Sequence, residues 1–503
     1  MKKTLICLLL ILGLVAGMLA SCGSPATPDD KETKGGSAET KDGTPASSET
    51  QGVNPGDDET GKPFIPDSLQ DEDLNDYIFN ILYSDRGLLV ISEVDDYTGD
   101  LIEDGLYDTM SAVKERFHCQ FDRFHGGTDN EMAAKLETTV QSGDRDVYSM
   151  TMGHDYLTIR NALKGYYANL NDIDAFDFSK PWWPENNLKG TSIGNKLYAA
   201  SSYVSYSPMQ GAQMIVFNKN MVRDMELDNP YELVFSKDWT VENMTSLAQD
   251  AYTDSNSDGT IDPDQGEVYG FYMGSQAGYS WQRSMDVVSV TKDSEDYPEY
   301  GLDPVRADEM FELLNELLEW GYFNTDDNKI QDTLFAQGSI FMMTSSLRTV
   351  YLTIRSIDTV KYGFLPDPLL NDEQSDYIAG ATDMIWGIPT TSTDHSHEIG
   401  VIIEALSCLA YNDILPLFYE STMQTKLSDA PEDVQVLDII RDSTTLSFAY
   451  FYSQNLGGLE VSMADLPRQC RIKHMNPATM IAANQGPLEQ NIAKLVEEYE
   501  KLG

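Results

Sequence analysis

Residues 101–117 read LIEDGLYDTMSAVKERF, residues 119–124 CQFDRF, residues 129–140 DNEMAAKLETTV and residues 146–152 DVYSMTM, and this alternation decides the fold. In the first stretch Ile102, Leu106, Met110 and Val113 recur near the ~3.6-residue spacing of a helix, predicted from about Leu101 to Phe117. Cys119 to Phe124 alternates as a strand. Met132, Leu136 and Val140 share one helical face, Asp146 to Met152 is strand-like again, and Tyr156 to Leu163 is helical. Strands alternating with helices predict βαβ units and a parallel sheet, hence an α/β fold. Upstream, Leu88-Leu89-Val90-Ile91 is an apolar run of strand length. Ligands of such sheets lie beyond the carboxyl ends of the strands. On topology alone this makes the loops holding Asp95 and Tyr97, and Gly153-His154-Asp155, binding candidates.

The N-terminus has the layout of a secretory signal: Lys2 and Lys3, then an apolar run from Leu5 to Ala20. That run falls short of the ~20 apolar residues a membrane span needs. Leu19-Ala20-Ser21-Cys22 resembles the bacterial lipobox. It implies that residues 1–21 are removed and that Cys22 takes a lipid, whose chains bury ~0.8 kcal/mol per CH₂. The competing interpretation is an ordinary secretory signal with a stray cysteine. No later segment reads as a transmembrane span without charges, so lipid is the expected anchor. Residues 22–75 are rich in Ser, Thr, Pro, Gly and charged residues, and are predicted to be a disordered tether.

Roughly 430 residues remain, which predicts two lobes. The chain has 82 acidic and 34 basic residues, a net charge of −48. Nucleic acid is excluded as a partner because phosphate binding needs a cationic face. The acidic surface serves solubility and self-repulsion, and a monomer is expected. Beyond Cys7 and Cys22 only Cys119, Cys408 and Cys470 remain, with no metal-binding spacing. They are expected to be small buried residues, with one disulfide as the alternative.

Further along, a series of motifs follows in order. Gly165-Tyr166-Tyr167-Ala168-Asn169-Leu170 precedes Phe178-Ser179-Lys180-Pro181-Trp182-Trp183. Then come Gly194-Asn195-Lys196-Leu197-Tyr198, Met214 to Lys219, and Trp239-Thr240-Val241-Glu242. Later stand Phe335-Ala336-Gln337-Gly338, Tyr362-Gly363-Phe364-Leu365-Pro366-Asp367-Pro368, and Ala381 to Pro389. This order resembles the family 1 extracellular solute-binding proteins, which serve sugar ABC importers, over most of the body from Gly87 to Phe451.

The resemblance implies a two-lobed periplasmic-binding-protein-like fold of type II, with crossover strands around a central cleft that closes on ligand. Residues 76–203 and about 382–440 would form the first lobe; residues 204–381 and about 441–503 would form the second. The crossings fall near Tyr203 and Asp383. The implied role is an ABC importer's substrate-binding subunit, lipid-anchored at the extracellular face of the cytoplasmic membrane. It would capture a carbohydrate and dock on permease subunits. A glycan-sensing lipoprotein of the same fold and a surface glycosidase are the alternatives.

Sugar sites set aromatic faces against the ring and polar groups against its hydroxyls. Position nominates Tyr203, Tyr279, Trp281, Arg348, Asp383 and Trp386, besides Asp95, Tyr97 and Asp155. Each has a competing role in core packing or in a surface salt bridge. Trp182 and Trp183 fit packing at a helix start better than ligand contact. Asp254-Ser255-Asn256-Ser257-Asp258-Gly259-Thr260-Ile261-Asp262 matches a calcium loop, with Asp254, Asn256, Asp258, Thr260 and Asp262 as donors. Gln265 stands where the closing glutamate belongs, and Asp264 or Glu267 are its substitutes. An unmetallated Asx-rich turn is the other interpretation. No cofactor for activity is expected. Gly190-Thr191-Ser192-Ile193-Gly194 fits a hydrolase string, but polar residues precede it where a buried strand is required. His395-Ser396-His397 is a poor metal motif, with six histidines in the chain.

Overall fold

The computed structural model describes residues 63–85, 96–205, 210–274, 277–323, 328–381, 384–418, 431–458 and 477–502. These all fall in one compact unit, Pro55–Gly503. In chain order the strands begin with β1 (Tyr77–Tyr83), β2 (Cys119–His125) and β3 (Met150–His154). Next come β4 (Gln213–Asn218), β5 (Tyr269–Met273), β6 (Val290–Lys292), β7 (Pro298–Tyr300) and β8 (Gly321–Phe323). Last are β9 (Ile340–Ser346), β10 (Tyr362–Leu365), β11 (Ala379–Ala381), β12 (Met384–Gly387) and β13 (Thr444–Leu446).

Two sheets organise them. The first has the order β12-β3-β1-β2, with β1 parallel to β2 and β3, and β12 antiparallel to β3. The helix Leu101–Phe117 makes the crossover from β1 to β2, and Asp129–Ser142 the one from β2 to β3. Their starts are set locally. The Asp100 side chain accepts from the amides of Ile102 and Glu103, and Thr128 and Glu131 form a reciprocal capping box. Ile102, Leu106, Met110 and Val113 are all buried, as their spacing predicted. The second sheet has the order β10-β4-β9-β5-β8 and is mixed, with β5 parallel to β8 and β9 but β4 antiparallel to β9 and β10.

Among the described residues, two segments that run between the sheets pair with each other. Ala200 pairs with Trp386 and Ala212 with Ala381, both antiparallel, so the outgoing and returning segments flank each other. The long C-terminal helix Pro477–Glu500 packs against β7 and the helix Pro304–Leu317. By length and apolar composition the helical run Thr390–Phe418 could cross a bilayer, which the sequence did not lead us to expect. However, 72% of its apolar window is buried within the protein, as in a core helix.

The predicted strand at Leu88–Ile91 lies outside the described residues; between β3 and β2 the sheet holds β1, whose Phe79, Ile81 and Leu82 are buried. One departure from the sequence expectations is physical. Asp146 takes a left-handed φ of 56°, which an extended strand cannot hold, so β3 begins only at Met150.

Residues 63–75, which composition places in the tether, lie against the first sheet's helices. The Ile65 amide donates to Asn412 Oδ1 at 2.9 Å, and Asn412 Nδ2 donates back to the Ile65 carbonyl at 2.9 Å. Arg116 grips Asp67 at 2.6 Å and Asp71 at 2.9 Å, while His397 lies 3.1 Å from both Glu72 and Asp174. Leu74 is buried, and its amide bonds the Phe117 carbonyl. The polar composition is used here for clasps rather than for solvation.

Candidate functional site

A cavity of about 280 Å³ opens where the two connecting segments meet. Its walls are the short helix Glu185–Thr191 with Asn187, the outgoing segment with Tyr203 and Ala212, Tyr411, and the Arg441-Asp442 end of the helix Pro431–Asp442. Tyr411 is presented by an irregularity. The helix Ser396–Leu409 widens into a π turn over Ala410–Ile414, a feature frequent at functional sites. Asn412 stabilises the turn by donating to the Cys408 carbonyl at 2.9 Å. Tyr411 meets Tyr203 edge to face at 5.5 Å, so two aromatic rings border the cavity.

Behind Tyr411 lies a buried polar knot. The Trp182 ring is 6.4 Å from Tyr411, and its Nε1 donates to Glu404 Oε1 at 3.0 Å. Trp183 Nε1 donates to the other oxygen, Glu404 Oε2, at 2.8 Å. Glu404 is fully buried, and burial pushes its carboxyl up to about 7 against the opposing pull of the two indole donors. The Trp pair thus packs as expected at its segment, and orients the ring that faces the cavity.

The cavity's charges are already matched. Arg441 lies 2.7 Å from Asp438 and 2.8 Å from Asp442, and Lys189 lies 2.5 Å from Glu185. Asn187 differs: it is only 2% exposed, and among the described residues no group donates to its Oδ1.

The sequence candidates are scattered relative to this cavity. Tyr203 lines it. Arg348 is exposed and donates to Gln210 Oε1 at 2.9 Å, tying the helix after β9 to the outgoing segment. Trp386 is fully buried on the returning segment, its Nε1 donating to Ser202 Oγ at 3.2 Å. Trp281 is buried in the second sheet's core, stacked on Phe271 at 5.3 Å and donating to Asp367 at 3.2 Å. Asp155 is buried just past β3, at the start of the helix Asp155–Leu163, where it lies against His154 and accepts the Tyr156 amide. Tyr97 is 60% exposed, and its hydroxyl donates to Asp108 at 2.5 Å. None of the last four lines the cavity. Asp95, Asp383 and the Tyr279 side chain lie outside the described residues.

In the loop from Asp254 to Asp262, Gly259 turns the chain with a φ of 76°. Asp254 accepts the amides of Ser257 at 2.7 Å and Gly259 at 2.9 Å. Asp258 accepts from Asn256 and Thr260, and Asp262 from Asp264 and Gln265. Glu267, rather than Gln265, joins the two ends: it accepts from Ser255 at 3.0 Å and from the Asp262 amide at 2.9 Å. Among the described residues no group of three or more His, Cys, Asp or Glu side chains is gathered to hold a metal. Ser192 follows a helix rather than a strand and receives Lys292 Nζ at 3.1 Å, so the hydrolase string forms no nucleophile elbow. Cys119 and Cys408 are both free and buried, and burial pushes their thiols up to about 11 and about 12; Cys470 lies outside the described residues.

Two α/β sheets with paired connecting segments define the two-lobed fold of the periplasmic solute-binding proteins. Solved structures of that class superpose on most of the chain. The maltose/maltodextrin-binding domain from Bdellovibrio bacteriovorus, bound to maltotriose, is 12% identical over 83% of this chain and 100% of its own, with a TM-score of 0.51. An ABC substrate-binding protein from Listeria monocytogenes in complex with cycloalternan is 11% identical over 83% and 100%, with a TM-score of 0.52. The galacto-N-biose/lacto-N-biose I-binding protein from Bifidobacterium longum is 12% identical over 84% and 98%, with a TM-score of 0.51. No protein-family model and no curated protein sequence matches the chain.

Proposed function

We propose that this chain is the substrate-binding subunit of an ABC importer that captures a carbohydrate, an oligosaccharide by preference, in the cavity at the crossover. The observation that carries this is the pairing of Tyr203 and Tyr411 with polar side chains where both connecting segments meet. Aromatic faces suit the apolar side of a sugar ring, and the amides and charged groups suit its hydroxyls. Ligand touching both lobes would favour the closed population, and the closed form would dock on the permease. The lobes would be residues 76–203 with about 382–440, and 204–381 with about 441–503. The work done is binding and hinge closure, with no bond broken. The lipobox-like Leu19 to Cys22 supports lipid anchoring on the extracellular face of the membrane, where the acidic monomer would stay soluble.

A structural calcium ion in the Asp254 loop is a further part of this proposal. Its support is the run of oxygen donors around Gly259 and the closing position of Glu267. Thermal unfolding of the body, without signal and tether, against a glycan panel tests the main claim. A ligand that binds only the native state raises the midpoint by mass action. No shift with any glycan sinks the carbohydrate claim. A lower midpoint in EDTA is expected if calcium is held, and an unchanged one removes it.

A further inference from the structure

We infer that Asn187 is the residue that reads the ligand, its amide oxygen accepting a hydroxyl of an uncharged sugar. This rests on the proposed carbohydrate site and goes one step further, to the donor pattern and charge of what enters it.

The inference starts from an imbalance. Buried polar groups in folded proteins almost always have partners. Asn187 is 2% exposed, it lines the cavity, and its Oδ1 has no donor among the described residues. Its backbone is settled, the amide bonding the Pro184 carbonyl at 2.9 Å. The side chain is therefore not needed to hold the short helix it sits on. Its oxygen is closed off from solvent and has no donor among the described residues, so it is unserved in this form, and a ligand hydroxyl drawn in as the lobes close would supply the missing donor. The amide offers one acceptor and two donors, which suits a hydroxyl able to give one hydrogen bond and receive others.

The charge argument is separate. An anionic ligand would need a cation with spare capacity. The guanidinium in the wall, Arg441, is held by both Asp438 and Asp442, and Lys189 beside the cavity is held by Glu185, so these cations are already committed to carboxylates. Tyr203 and Tyr411 contribute aromatic surface and no charge. An uncharged polyol needs no counter-ion, whereas a carboxylate or phosphate would have to displace Asp442 from Arg441 or Glu185 from Lys189.

The test uses the folded body with maltotriose, lacto-N-biose, cycloalternan and, as the anionic control, digalacturonate, by calorimetric titration of wild type, Asn187→Ala and Asn187→Asp. For whichever neutral glycan binds, Asn187→Ala is expected to weaken it about ten- to a hundredfold, the loss of one well-placed hydrogen bond. The unfolding midpoint of the free variant should stay within about 2 °C of wild type, because no intramolecular bond is lost. Asn187→Asp, which keeps the acceptor oxygen, should bind the neutral glycan more tightly than Asn187→Ala. Unchanged affinity in Asn187→Ala, or a free variant that melts many degrees lower, overturns the role given to Asn187. Tighter binding of digalacturonate than of any neutral glycan overturns the charge argument. If none of the neutral glycans binds wild type, the carbohydrate site itself falls and this inference falls with it.

Discussion

Glu404→Gln separates burial from hydrogen bonding in the knot behind Tyr411. Glu404 is fully buried and takes one indole N–H on each oxygen, at 3.0 and 2.8 Å. Its carboxyl is raised from 4.5 to about 7, burial being the largest cause. Below pH 4.5 the group is protonated in both folded and unfolded states and adds no pH dependence. Between 4.5 and about 7 the folded state holds a proton that the unfolded chain has released, so stability falls as pH rises. Above that window both states are ionised and the full penalty of a buried charge is present. At ~1.4 kcal/mol per unit the whole fall is about 3 kcal/mol.

The amide variant cannot ionise. It also cannot accept from both indoles, so it loses about 1–3 kcal/mol at every pH. The difference between wild type and variant should therefore be largest near pH 5 and shrink by up to about 3 kcal/mol by pH 8. Urea unfolding followed by tryptophan fluorescence and far-ultraviolet dichroism at both pH values measures it. Taking the difference between the two proteins removes the buried Asp367 and the half-buried Asp332, which are raised to about 7 and about 6 by desolvation and act with the same sign. A constant difference across pH would refute the reasoning, because it would mean that the indole donors hold Glu404 ionised at no cost.

Other substitutions probe the surroundings. Arg116→Ala should release residues 65–74 from the body, seen as faster amide hydrogen exchange there and a loss of about 1–2 kcal/mol, since the grip on Asp67 and Asp71 is only half-buried. The nearby His397 is raised by Asp174 and then Glu72, so its clasp is fully present below pH 6.5 and lost as pH climbs through the raised folded value. Protection of residues 70–74, taken as exchange relative to the intrinsic rate at each pH, should accordingly be greater at pH 5.5 than at pH 8.5, and His397→Gln should abolish that difference in protection. Trp281→Phe should cost about 1–3 kcal/mol by removing a donor from buried Asp367 and leaving a void, while glycan affinity stays unchanged.

Much of the first sheet is legible in the sequence because its helices obey one rule. The spacing of Ile102, Leu106, Met110 and Val113 has a single buried face, and its caps are local. The strand β1 was harder to see: Tyr77 to Tyr83 sits directly after a polar stretch, and its exposed Ile78 blurs the alternation. The strap at residues 63–75 could not be found from composition, because Asp67, Asp71 and Glu72 look like solvated charges until Arg116 and His397 are brought to them by the fold.

The candidate site was legible in one residue, Tyr203, because the order of motifs located the crossing. Trp281 and Trp386 draw attention by size, yet a large ring beside β5 or on the returning segment is filled in by its own core. Tyr411, Asn187 and Arg441 come from three distant stretches of chain. The sequence carries no spacing that joins them, and Tyr411 reaches the cavity only through a π turn that no periodicity announces. A faint signal existed in Trp182-Trp183, whose two indole donors required one buried acceptor, supplied by Glu404.

The most direct test of the central claim is calorimetric titration of the wild-type body and Tyr411→Ala with the glycan that raises its unfolding midpoint. The expected result is saturable one-to-one binding with a negative heat-capacity change, weakened about tenfold or more in Tyr411→Ala, as loss of an aromatic face at the ligand requires. Tight glycan binding that Tyr411→Ala leaves untouched would place the site elsewhere and contradict the assignment of the crossover cavity.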